Sequence, residues 1–594
     1  MIKYKWIEKP IDIKVVSKFE NEGINKTLGI ILHNRKMDVK DYKNMTEKFW
    51  EMTTYLATEI TGLNAAAKLL LRTLFDSNSS IRIFADYDTD GITSSAIIND
   101  FLSTIQEINN LKSEFQIYVP ERSEGYGLSL NWCKNLIEEK QQHSENNYLV
   151  VTFDNGITKN EEINLLRKFG IETIVTDHHE PDKTIPNGIV VDPKKDDARL
   201  GEELCGAGIA WLLVYQMYRI YLENVNNDKE GKLAKSLQRC LGYATIGTIG
   251  DMMPMTVYNM SLVINGLNYI NNVSKNNNPS PLNNLIDCYN VKELTSKDIG
   301  FNISAAINAC GQMGDVQKAL KMFTEEDCLE NIDYAKEVCS LCNYSRDETK
   351  KAKNKINKDL EAGFFNNHLF CIYVIENIPH GIAGKLSNHI SSYTNKPTIV
   401  LVDDGTNELK GSGRCTNPTI DMLKTLKPLE TKGLIQKAAG HQAACGVVFY
   451  KDKLEEAQKE LDSKILEAIE NMECTMVPEK NLYIDGVIGV ADINLKNYKT
   501  LSMLPYSMNF YAPNFCLKGY IVSARSSQSN ANNICYKIKD LITSDVIEIW
   551  VWNIKAEEYY KTNPTEISIV GNLVRNFINP NQITLDVVDL KFSI

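Results

Sequence analysis

The sequence predicts an α/β protein: a doubly wound parallel sheet in the first half, a second α/β unit after it, and a small β-barrel at the end. Three observations predict this. Short apolar runs recur in the first half, each stopping at acidic or imidazole residues. Helical stretches separate those runs. From about residue 476 onward, short alternating strands return.

"IRIFADYDTDG" is an apolar run ending in Asp86, Asp88 and Asp90. "YLVVTFDNG" ends in Asp154, Asn155 and Gly156, "ETIVTDHH" in Asp177, His178 and His179, and "GIVVDP" in Asp192. Continuous β-branched runs bounded by turns suit strands buried on both faces. "ITSSAIINDFLSTI" and "NEEINLLRKFG" read as helices between them. Strand alternating with helix implies a parallel sheet, and in such sheets ligands collect beyond the carboxyl ends of the strands. One Asp at a strand end is ordinarily a helix cap or turn former. Three Asp/His clusters at the same end of successive strands point to one shared site.

Carboxylates converging there repel one another, and a buried Asp is costly unless paired or bound to metal. Oxygen donors with one or two imidazoles suit manganese, magnesium or zinc. The chain is expected to turn at Gly91, with Asp88 and Asp90 straddling the site and Asp86 supporting them. A fourth acid closes "LGYATIGTIGDMMPM": Asp251 follows small and apolar residues, a poor core residue but a good ligand near a metal centre.

In the second half, "HLFCIYVIE" and "PTIVLVDDG" are strand-like. "GSGRC" offers Gly411 and Gly413, whose amides could approach an anion, with Ser412 and Arg414 to bind it. "AAGHQAACG" places Gly440 and His441 among small residues. "LEEAQKELDSKILEAIENM" is an amphipathic surface or spacer helix with no chemistry assigned. The closing strands suit a small Greek-key barrel, in which Tyr506, Phe510 and Tyr511 are either core or base-stacking platforms.

Composition narrows the classes. The chain has 594 residues, 43% hydrophobic, enough for several packed cores. No run approaches the roughly 20 apolar residues of a membrane span, and the N-terminus lacks a signal-peptide core. The 14 cysteines form no disulfide framework, and Cys339–Cys342 reads as two cysteines one helical turn apart. A reducing cytoplasm is the expected compartment. The net charge of −11 argues only weakly against nucleic acid, because a basic groove can sit on an acidic protein.

Together "DYDTDG", "FDNG", "DHH" and "GTIGD" resemble the DHH phosphoesterase superfamily, and nearly the whole chain resembles its RecJ-like single-strand exonuclease branch. The resemblance implies two divalent ions, Mn2+ or Mg2+, held by Asp88, Asp90, Asp154, His178 and Asp251 with Asp86 in support. It makes Asp154 the bridging ligand and sets His179 beside the scissile phosphate, so adjacent histidines serve metal and substrate separately. "YVPERSEGYGLS" matches a further family stretch through Arg122, Gly125, Tyr126 and Gly127. Ser412, Gly413, Arg414, Gly440 and His441 fall in what resembles the DHH-associated domain, and the end resembles an oligonucleotide-binding (OB-like) barrel.

The organisation implied is 1–75 packing on the catalytic domain, 76–270 the catalytic domain, 271–360 a helical connector, 361–472 the DHH-associated domain and 476–594 the barrel. The activity implied is 5′-to-3′ hydrolysis of single-stranded DNA to mononucleotides by a monomer, with a single-strand-binding protein or a helicase as candidate partners. One stretch departs from the family. Where its members read P-R-I-N-A-A-G-R-M, this chain reads "AAINACGQM": Asn308 persists, but two arginines are Ala306 and Gln312. Neutral residues cannot replace bidentate phosphate partners, which bears on the grip on a terminal phosphate and on polarity. The alternatives are a DHH phosphodiesterase acting on short oligonucleotides or cyclic dinucleotides, and a catalytically silent replication scaffold. Such scaffolds lose metal carboxylates, which are kept here.

Overall fold

The computed structural model describes residues 3–143, 146–195, 203–225, 228, 231–275, 280–291, 293–325, 328–471, 479–507, 509–527, 533–541, 543–552, 564–576, 579 and 581–593. The boundary expected at 472–476 lies outside the described residues.

The first sheet has five strands in the order Glu114–Tyr118, Ser79–Ala85, Asn147–Phe153, Glu172–Thr176 and Ile189–Val191, all parallel. Side chains alternate between two cores, as period 2 requires. Ile81, Ile83, Val151 and Ile174 enter one core, whereas Phe84, Val150 and Val175 enter the other. Helices Thr89–Asn109, Leu130–Gln142 and Asn160–Lys168 connect the strands. Helices Gly206–Asn224 and Lys232–Gly250 then lie against Thr89–Asn109. Every strand runs the same way, so Asp86, Asp154, Asp177 and Asp192 emerge on one edge.

Residues 3–75 divide between two neighbours, where one was expected. Helices Phe49–Glu59 and Leu63–Phe75 do pack on the catalytic half, with Phe49 stacked 6.3 Å from Trp211 and 6.0 Å from Tyr258. The strand Lys3–Glu8 instead pairs in parallel with Glu479–Ile484. Arg35 closes the same junction: its Nη1 donates to the buried Asp485 at 2.5 Å, and Lys9 approaches that carboxylate at 3.3 Å. A long-range pairing of this kind leaves no signal in local sequence.

The connector is helical and ends in the 34-residue helix Cys328–Glu361, which buries Cys339 and Cys342. The second unit is a mixed sheet ordered Ile435–Gly440, Ala444–Tyr450, Glu408–Arg414, Thr398–Asp403 and Cys371–Glu376. Helix Leu454–Glu470 covers it with Ala457, Leu461 and Ile465, a spacing of four that aligns one apolar face.

The last unit is an antiparallel sheet ordered Val546–Val551, Ile534–Asp540, Phe515–Ser526, Glu566–Arg575 and Ile583–Ser593, with Gly486–Val487 added in parallel. Among the described residues its pairing does not close into a ring. No described helix is long and apolar enough to cross a membrane.

Candidate metal centre and substrate cleft

The strand Ser79–Ala85 ends at Asp86, and Asp88 caps the next helix, its Oδ1 accepting from Asp90 N–H at 2.9 Å and Gly91 N–H at 3.1 Å. The turn therefore falls at 86–88, not at Gly91 as expected. Gly91 is helical, and a Cβ there would lie 2.2 Å from Asp86 O. The glycine serves close approach of helix to strand end.

Asp90 projects from that first turn into the start of helix Gly206–Asn224. Its Oδ2 accepts from Gly206 N–H at 2.6 Å and its Oδ1 from Ala207 N–H at 2.8 Å. Unsatisfied amides and the helix dipole favour an anion there. A Cβ on Gly206 would meet Asp154 Cβ at 2.7 Å and Asp90 Oδ2 at 2.9 Å. The stretch "CGAG" holds no acid or imidazole, so its part in orienting a ligand shows only once the two helices are seen together.

Asp154 follows the strand Asn147–Phe153 with φ at +61°, unusual for a residue with a side chain. Its neighbours hold it. Tyr126 Oη donates to Asp154 O at 3.0 Å, and Asn155 Oδ1 accepts from Leu128 N–H at 3.1 Å.

The two histidines diverge. His178 is buried, and its Nε2 lies 3.1 Å from Asp154 Oδ1 and 3.7 Å from both Asp90 Oδ2 and Asp251 Oδ2. His179 opens to the cleft, its Nδ1 2.8 Å from Asp177 Oδ1 and its ring edge-on to Tyr126. Asp177 organises the pair, accepting from His178 N–H at 2.8 Å, His179 N–H at 3.2 Å and Ile157 N–H at 2.9 Å. Asp251 closes helix Lys232–Gly250. Asp192 is buried beyond its strand, where its Oδ1 accepts from Lys194 N–H.

Among the described residues, donor atoms gather in three sets, each within 4.8 Å: Asp154, His178 and His179; Asp90, His178 and Asp251; Asp86, Asp88 and Asp154. Burial and then mutual repulsion push Asp86, Asp88 and Asp154 above the usual carboxylate range, and Asp251 up to about 8. So many carboxylates cannot all ionise without a cation. Asp86 Oδ1 and His178 Nδ1 are buried without a hydrogen-bond partner. Oxygen donors with imidazole, in overlapping sets, fit a hard divalent pair.

The remaining candidates are more dispersed. Arg122 lies in a short turn, Arg122–Glu124. Burial is the main cause that pushes the Arg414 guanidinium down; Cys445 opposes the shift and the like charge of Arg122 adds to it. Arg414 Nη1 donates to Gly413 O at 2.7 Å, and Gly384 leaves room for Nη2, which would lie 2.9 Å from a Cβ there.

The expected amide nest at Gly411 and Gly413 is instead a strand, Glu408–Arg414, paired on both sides. A Cβ on Gly413 would strike Met422 and Cys445 at 2.5 and 2.7 Å, so interior packing demands that glycine. Ser412 O accepts from Ser387 Oγ. Gly440, at φ +140°, leads to exposed His441 at a hairpin tip, beside a groove of about 850 Å³ edged by Lys424, Lys427 and Lys432.

Asn308 Oδ1 accepts from Thr89 N–H at 2.9 Å, binding the connector to the helix that carries Asp90. Ala306 is fully buried, and Gln312 Oε1 is enclosed without a partner. Phe510 is buried and stacks on Tyr506, while Tyr511 is exposed.

Comparison with known proteins agrees with this geometry. Residues 80–247 match the DHH family, N-terminal domain, and residues 366–467 match the DHHA1 domain. The single-stranded-DNA-specific exonuclease RecJ of Bacillus subtilis is 25% identical over 586 residues, covering 97% of this chain and 69% of that protein. The crystal structure of RecJ from Thermus thermophilus in complex with Mn2+ superposes with a TM-score of 0.77 at 20% identity, over 100% of this chain and 80% of that one. A crystal structure of exonuclease RecJ bound to manganese gives a TM-score of 0.56 at 26% identity, over 68% of this chain and 95% of that one.

Proposed function

Because this chain belongs to the DHH superfamily and carries a DHHA1 domain, we propose that it is a metal-dependent exonuclease that hydrolyses single-stranded DNA from an end. The observation that carries the reading is His178 Nε2, buried within 3.1–3.7 Å of carboxylates from three separate segments. Asp88, Asp90, Asp154, His178 and Asp251 would hold two divalent ions, Mn2+ or Mg2+, with Asp154 shared and Asp86 behind. When bound, such a pair lowers the pKa of water and neutralises charge on the phosphate.

The other residues act on the substrate. His179 donates a hydrogen bond to a non-bridging phosphate oxygen, held in orientation by Asp177 and Tyr126. Arg122, Arg414 and Ser412 grip a phosphate between the two units, and His441 closes over it. The fully paired strand makes side chains, not Gly413, the phosphate ligands. Residues 76–270 supply the metal ligands, 361–471 the phosphate grip, and residues 3–75 brace both the catalytic half and the final unit. That final unit acts as an OB-like module. Trp550 and Trp552, stacked at 5.5 Å with Trp552 half exposed, supply a surface on which bases can stack.

Polarity is proposed as 5′-to-3′. With Ala306 buried in the core, Arg122 and Arg414 carry the end recognition. Digestion of single strands labelled at either end, with and without a 5′-phosphate and in Mn2+, tests the whole reading. Mononucleotides released from the 5′ end support it. Cleavage confined to di- and trinucleotides would favour a small-substrate phosphodiesterase instead.

A further inference from the structure

The proposed ligand Asp251 is followed by a residue in a rare conformation. Met252 has φ at +55°, which costs an ordinary side chain energy and persists only when its surroundings enforce it. Two hydrogen bonds do so: Met252 N–H donates to Ile249 O and Met253 N–H to Thr248 O, each at 3.1 Å. The turn leaves Met252 61% exposed, while Met253 and Met255 are buried.

A second large apolar side chain stands out nearby. Phe301 is 68% exposed in the π-helical turn Ile299–Ser304, a geometry that gathers at functional sites. This turn packs on the same helix end. A Cβ on Gly300 would lie 3.8 Å from Ile249, and one on Gly250 would lie 3.0 Å from Ser304 Oγ. Its backbone is held from both sides, as Thr89 Oγ1 donates to Ser304 O at 3.1 Å and Arg346 Nη2 to Phe301 O at 2.5 Å. The exposed ring therefore stands on a fixed support.

Both segments also run from the carboxylate rim to the C-terminal unit. Met255 N–H donates to Asn509 Oδ1 at 2.6 Å. Ser296 Oγ accepts from Tyr506 N–H at 3.2 Å and donates to Leu504 O at 3.4 Å. Met252 and Phe301 thus sit on the two segments that join the acidic rim to that unit. Neither side chain can bind a phosphate, but a thioether and a phenyl ring both pack on the face of a base.

We propose that Met252 and Phe301 form an apolar lip that receives a nucleobase of the single strand between the metal cleft and the C-terminal unit. This rests on the exonuclease reading above. The lip makes binding depend on the presence of bases, whatever their identity.

The test uses the full chain in Mn2+ with two single strands of equal length: oligothymidylate, and the same strand with abasic tetrahydrofuran units at the terminal positions of both ends. The variants are Met252→Gly, which accepts φ +55° without strain, Phe301→Ala, and Phe301→Tyr, which keeps the ring. Met252→Gly and Phe301→Ala are expected to raise KM on oligothymidylate by about five- to tenfold. Phe301→Tyr should leave it near wild type, and all variants should match wild type on the abasic strand. Variants indifferent on oligothymidylate, or impaired equally on both strands, overturn the lip. A wild-type protein that releases nothing from either strand overturns the exonuclease reading beneath it.

Discussion

Asp154 meets conflicting demands within a few ångströms. Its backbone is left-handed, its carboxyl is buried, and Asp90 and Asp88 both oppose its charge. A bound cation reconciles these with an ionised carboxylate. Asp154→Ala is therefore expected to abolish hydrolysis, measured as nucleotide release in Mn2+, while the thermal melt stays cooperative.

His179 gives a pH signature. Burial pushes its pKa down, but the hydrogen bond and charge of Asp177 outweigh this and bring it up to about 8. A raised pKa means the charged donor and its stabilisation are full below the free value of about 6.5 and are lost as pH rises through the folded one. The alkaline limb of kcat/KM should fall near that value and move to lower pH in Asp177→Asn. Arg414→Ala should raise KM by roughly 10- to 100-fold, the loss of a charged hydrogen bond, with circular dichroism unchanged. An effect on folding alone would refute its assignment.

Two helix starts build the centre at the level of elements. Thr89–Asn109 presents Asp88 and Asp90, and Gly206–Asn224 offers its first amides to Asp90. This arrangement needs a bare backbone at Gly206. Gly206→Ala should force Asp90 or Asp154 to move, costing about 100-fold in kcat and weakening Mn2+ binding in a calorimetric titration, with the fold retained. An alanine variant that binds Mn2+ as wild type does would show that the amide clamp is incidental. Such helix starts are only half legible in the sequence. "DYDTDG" announces acids near a turn, but whether Gly91 bends the chain or admits a neighbouring strand depends on what packs against it.

At the scale of the whole molecule, the acidic centre makes metal a folding ligand. Carboxyl pKa values raised in the folded protein mean that stability is full below the unfolded values and lost as pH rises through the folded ones. Asp251, at about 8, keeps that loss in progress through neutral pH. Divalent ions should offset it, so Mn2+ should raise the melting temperature more at pH 8 than at pH 6, and EDTA should reverse the gain and stop turnover. At the far junction, Asp485 is buried against Arg35 and Lys9. Asp485→Ala leaves the Arg35 cation without its carboxylate, keeping only the bond to Tyr511 O, and should cost about 3–5 kcal/mol, measured by denaturant unfolding.

The sequence by itself determined the parallel sheet, the edge on which Asp86, Asp154 and Asp177 emerge, and the candidacy of Asp251. Those features follow from local periodicity and from the cost of burying charge, both of which can be read within a few residues. Tertiary structure alone decided that Asp90 sits on the amides of Gly206 and Ala207 and that Gly413 serves packing instead of an anion. It also decided that Asn308 ties the connector to Thr89 and that Lys3–Glu8 pairs with Glu479–Ile484. Each of these is a contact between segments far apart in the chain. What a glycine or an asparagine does there is set by the atoms brought against it, and no pattern of neighbouring residues encodes them.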